Sequence, residues 1–138
     1  MSRVVMVFAL AGLAAGCQLP PERPAPPPLL EDSPPLPYAQ LLTRARQQAT
    51  AATEAFYVNR WADVEEDAKG LEQTARFLKK ATDVPTAHVS TIGNDADALR
   101  TDAAKLRESA RSQNAGQINE IMQRINLKVR ELRIDAGS

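Results

Sequence analysis

The prolines of this chain are crowded into one place. Nine of the ten fall between Pro20 and Pro37, and the 101 residues after Pro37 contain one more, Pro85. Proline fixes φ and brings no amide hydrogen, so residues 18–37 can neither continue a helix nor join a sheet, and they should run as extended polyproline II. At roughly 3.1 Å per residue such a segment reaches at most about 60 Å, which suits a semi-rigid stalk. A second use, as ligand for a polyproline-reading domain, is open as well. The chain beyond Pro37 is free of this constraint and can form long helices.

It has the pattern for them. Four stretches place apolar residues three and four apart, the period of a helix that offers one stripe to a core. The first carries Tyr38, Leu42, Ala45, Ala49, Ala52 and Phe56; the second carries Trp61, Val64, Ala68, Leu71, Ala75 and Leu78. The third runs through Val89, Ile92, Ala96, Leu99, Ala103, Leu106 and Ala110, and the fourth through Ile118, Met122, Ile125, Val129 and Leu132. Alanine dominates the first three seams and allows close approach, while the bulkier fourth supplies a disproportionate share of core volume.

Asn59 is placed to cap the second helix, Pro85 suits a first helical turn, and Asn114 with Gln117 resembles a capping box. Gly93 is the weak point of the third seam, so that helix could start as late as Asp95. Short breaks force neighbours to be antiparallel, and helices of about 20 residues are about 30 Å long. The expected architecture for residues 38–138 is therefore all-α, an up-down-up-down four-helix bundle. Leu41, Ile121, Leu127 or Ile134, where outside the seams, would offer a dimer contact.

Ahead of the proline tract, residues 1–16 read as a signal peptide: Arg3 is the positive flank, and Val4 to Ala15 form an apolar run too short to span a bilayer comfortably. The run Leu13-Ala14-Ala15-Gly16-Cys17 resembles a bacterial lipobox, with Ala14 where leucine is commonest. That resemblance implies a diacylglycerol on the Cys17 thiol, cleavage before it, and Cys17 as the mature N-terminus. Gln18 rather than Asp after the cysteine implies outer-membrane sorting. The alternative is an ordinary signal peptide that happens to contain a cysteine. Residues 17–37 are then the lipidated cysteine and linker.

Composition narrows the chemistry. Seventeen basic against seventeen acidic residues supply no field to hold nucleic acid by counterion release. One Cys and one His cannot form an intramolecular disulfide or a Cys/His zinc site. The bundle layout loosely resembles cytochrome c-prime, whose last helix carries Cys-x-x-Cys-His. Here Ile125 and Lys128 stand where the haem-linking cysteines would be and Val129 where the iron ligand would be, so covalent haem is excluded. His88 and Met122 should lie near opposite ends of the bundle, and no glutamate has a histidine three residues on.

Asp63, Glu65, Glu66 and Asp67 offset the positive end of the second helix dipole, and Arg124, Lys128, Arg130 and Arg133 suit the last turns of the fourth. The basic strip could also touch anionic lipid or cell-wall polymer. Phe56, Tyr57 and Trp61 form an aromatic plug or a recognition anchor. These readings converge on an exported, non-catalytic structural or protein-interaction module, outer-membrane-anchored and facing the periplasm. Its expected partners are the membrane, through a lipid on Cys17, and an envelope protein or a second copy of the chain. No catalytic residue, metal, cofactor or nucleic acid is expected. The alternative is a small-ligand binding bundle related to cytochrome c-prime that has lost its haem.

Overall fold

A computed structural model describes residues 25–133. Within them lie four α-helices: α1 (Tyr38–Tyr57), α2 (Trp61–Leu78), α3 (Ile92–Arg111) and α4 (Ala115–Glu131), with one 3-10 turn at Thr86–His88. The described residues form an all-α four-helix bundle. Consecutive helices pack on each other, and α1 closes the ring more loosely against α4.

Side-chain pairs set the register. Between α2 and α3, Glu65 meets Arg111 at 2.6 Å, Glu72 meets Arg107 at 3.1 Å and Asp97 meets Lys79 at 2.8 Å. Between α3 and α4, Ser109 Oγ meets Gln117 Oε1 at 3.2 Å, Asp102 meets Arg124 at 3.0 Å and Asp95 meets Lys128 at 3.2 Å. Position climbs on one helix as it falls on the other, so both pairs are antiparallel. Partly exposed ion pairs contribute little stability each, and their main value here is to report alignment.

The α1–α2 and α3–α4 turns are built alike. Asn59 and Gln113 adopt positive φ of 57° and 52°. Around each, the helix closes with paired bonds: Asn59 N–H to the Phe56 carbonyl and Arg60 N–H to that of Ala55, then Gln113 N–H to Ala110 and Asn114 N–H to Ser109. This is the Schellman arrangement, which satisfies carbonyls left over at a helix end. Asn59 therefore finishes α1 instead of capping α2, whose N-cap residue is Arg60, with no side-chain bond to the helix's first amides. A three-residue turn has to close the first helix before it can open the second, and asparagine tolerates the left-handed region better than most residues. Asn114 does cap α4, its Oδ1 accepting from Gln117 N–H at 3.1 Å.

The seams are buried as the spacing predicts, with corrections at their ends. Leu41 and Ala55 are in the core of α1, and Phe56 is only half-buried. On α2, Val64 to Leu78 hold their places, Trp61 is half-buried, and Phe77 is buried beside the seam. The third helix starts at Ile92 and not at Asp95, with Gly93 in its first turn where a Cβ would meet nothing. Val89, counted in that seam, precedes the helix and is 62% exposed. All five fourth-seam residues are buried, as is Ile121. Of the four residues considered for a dimer contact, Leu41 and Ile121 belong to the core and Leu127 is exposed; Ile134 lies outside the described residues.

The proline segment departs most from expectation, because residues 29–37 are strapped to the bundle. The Gln73 amide grips both backbone groups of Leu29: Leu29 N–H donates to Gln73 Oε1 at 2.8 Å, and Gln73 Nε2 donates to the Leu29 carbonyl at 2.7 Å. Arg76 meets Glu31 at 2.9 Å. Further on, Thr82 N–H donates to the Leu36 carbonyl and Tyr38 N–H to that of Thr82, forming an isolated parallel bridge at Pro37. Proline can sit there because its neighbours make both bonds, so its missing hydrogen costs nothing. Leu29 and Leu36 pack on the core, making this stretch part of the folded body.

Candidate functional site

Gly70 sits in the interior of α2, where glycine costs about 1 kcal/mol relative to alanine. Its neighbour explains it: a Cβ at Gly70 would fall 2.8 Å from Gln48 Nε2 of α1. Gln48 is 2% exposed, a buried polar residue within the α1 stripe. The Thr74 hydroxyl holds its Oε1 at 2.7 Å, and the same hydroxyl lies 3.1 Å from the Gly70 carbonyl one turn back. A polar cluster is thus built into the α1–α2 interface, with glycine making room for it.

Outside this cluster the strap and α2 enclose a cleft of about 350 Å3. Pro26, Pro27 and Pro28 form one wall, and Gln48, Asp67 and Gly70 lie on the other. Glu66, Lys69 and the Glu31–Arg76 pair also border it. The volume is at the lower end of what small-molecule sites occupy.

Asp67 is the unusual member. It is 7% exposed, and among the described residues it makes no hydrogen bond or ion pair. Burial pushes its carboxyl up from 3.8 to about 6, with Asp63 and Glu66 adding to the rise and Arg60 opposing it. Buried carboxylates are normally paired, because an isolated charge is poorly solvated by protein. The other acids of the group behave as helix-surface charges: Asp63 meets Arg60 at 3.1 Å, Glu65 meets Arg111, and Glu66 is exposed.

The remaining candidates are dispersed. His88 lies in the α2–α3 connection with its ring 6.0 Å from that of Tyr38, stacked at 22°. Ile125 and Val129 are buried in the core, and Lys128 bridges Asp95 and Glu131. Arg124 is similarly committed to Asp102, so half of the basic strip is neutralised within the bundle. Phe56 and Trp61 pack edge to face at 5.9 Å, while Tyr57 beside them is 74% exposed. Cys17 lies outside the described residues. Among the described residues, no three His, Cys, Asp or Glu side chains gather as metal ligands.

Sequence reasoning overlooked the cleft, with Gln48, Gly70 and Gln73, and it treated Asp67 as a surface charge. Two signals pointed to it: a glycine inside a strong helix, and a glutamine set in an apolar stripe. No protein-family model, curated protein or solved structure matches this chain.

Proposed function

We propose that the protein is exported, anchored to the outer membrane by a lipid on Cys17, and works on the periplasmic side as a non-catalytic interaction module. The observation that carries this reading is the run Leu13 to Cys17, placed after an apolar segment and directly before the proline tract. Small residues ahead of a cysteine suit processing, and a linker that resists helix and sheet suits a tether. Among the described residues no helix is long and apolar enough to cross a membrane. The bundle's paired surface charges favour a structural or docking role over steering of a charged polymer.

Mass spectrometry of the membrane-extracted protein should find a chain beginning at an acylated Cys17, and Cys17→Ser should release the protein from the membrane fraction or leave its precursor uncleaved. A mature chain that starts elsewhere with a free thiol would refute the anchor.

A further inference from the structure

The geometry points to the cleft between strap and α2 as a receptor for a small organic cation, a protonated primary amine on a short apolar body, with the Asp67 carboxylate as its counter-ion. Every residue involved lies at or beyond Pro26 and none is Cys17, so the site stands or falls apart from the Cys17 anchor.

Three observations converge on this ligand. The first is Asp67 itself, more than nine-tenths buried, bordering the cleft and without a hydrogen-bonding or ion-pairing partner among the described residues. Its ionised form is disfavoured by burial and by Asp63 and Glu66, and a bound cation would relieve both effects. The second is the commitment of the nearby cations. Arg76 is held by Glu31 and Lys69 is exposed on the rim; Arg60 meets Asp63, and its pull on Asp67 is outweighed. The third is the wall. Pro26, Pro27 and Pro28 present rings without donors to the same space, suited to methylenes rather than to a second charge.

Gln48 completes the site. Its amide is fixed by Thr74, and Gly70 leaves it room beside the cleft. An ammonium has three donors, and the two Asp67 oxygens are acceptors for it, while Gln48 Oε1 is held by the Thr74 hydroxyl and shapes the wall beside them. A divalent metal would need more anionic oxygens than one buried carboxylate and an amide. An anion would meet Asp67 and Glu66, while of the two cations on the lining Lys69 is exposed and Arg76 is held by Glu31.

The test is a titration of the full-length chain with cyclohexylamine near neutral pH, read by NMR at the Gly70 backbone amide and the Gln48 side-chain amide. Saturable shifts at both are expected, with cyclohexanol giving none. Asp67→Asn keeps the shape and removes the charge, and should weaken binding by about tenfold or more. Gly70→Ala should also weaken it by displacing the Gln48 amide, with the helical circular dichroism of both variants retained. The proposal is overturned if the amine gives no saturable shift, if cyclohexanol binds as tightly, or if Asp67→Asn binds the amine as well as the parent chain.

Discussion

Where α3 and α4 meet, the buried side chains are Leu99, Ala103 and Leu106 on one helix and Ile118, Met122, Ile125 and Val129 on the other. Polar groups stay at the margin, paired as Asp95–Lys128 and Asp102–Arg124, and the one buried hydroxyl, that of Ser109, is bonded to Gln117. Where α1 and α2 meet, Gln48, Thr74 and Asp67 are all buried, glycine replaces a side chain, and the strap lies alongside. One half of the molecule is organised to be stable. The other carries groups that an apolar interface would do better without, which is the usual mark of a surface kept for a ligand.

The sharpest way to break this contrast is Ile125→Ala. The side chain is buried in the apolar half, and its truncation should cost about 2 to 5 kcal/mol by thermal or denaturant unfolding. A loss below about 1 kcal/mol would mean that this half is not the stable one.

Asp67→Asn should act in the opposite direction. The folded-state pKa of Asp67, about 6, lies above the ordinary 3.8. Below roughly pH 4 the carboxyl is protonated folded or unfolded and carries no penalty. As pH rises through about 6 the folded chain must hold a buried charge, so stability is lost and stays lost at neutral pH. The gap corresponds to at most roughly 3 kcal/mol. Asp67→Asn should recover about 1 to 3 kcal/mol at pH 7 and flatten the decline between about pH 4 and 6. An unchanged stability–pH profile would sink the assignment.

Gln73→Ala sharpens the comparison within the polar half. It removes both bonds to Leu29, worth about 1 kcal/mol each, and should open the strap while leaving the helices folded. Hydrogen exchange at the Leu29 amide should accelerate about tenfold or more, with protease cleavage appearing in residues 25–36. If exchange is unaltered, the strap is held by something other than Gln73. The smallest effect is expected for Arg130→Ala, exposed on α4, which should shift stability by less than about 0.5 kcal/mol. A loss as large as that of Ile125→Ala would show the α4 seam to be misassigned.

The helices were legible in the sequence because their information is local. Spacing of three and four along Val64 to Leu78 or Ile118 to Val129 determines which face turns inward, whatever the partner. The strap was not legible, because its fastening depends on pairs far apart in the chain: Leu29 with Gln73, and Leu36 with Thr82. Nothing near Leu29 announces a glutamine 44 residues away. Val89 failed for a related reason, since it fits the period but lies in the turn that follows the 3-10 turn, three residues before the helix begins. Asp67 looked like its acidic neighbours, and only the position of the strap and the turn of α2 separate it from them.

The strap also changes the mechanics of any attachment at Cys17. Eleven residues separate that cysteine from Leu29, a leash of at most about 35 Å and not the 60 Å of a free linker. It meets the body at Gln73, five residues before the end of α2, so it leaves from a flank and not from an end of the bundle. Tension along such a leash would act crosswise to the helices, loading the two Leu29 bonds before any helix contact. A molecule hung in this way would present its α2 side to the surface that holds it, and the mouth of the cleft with it.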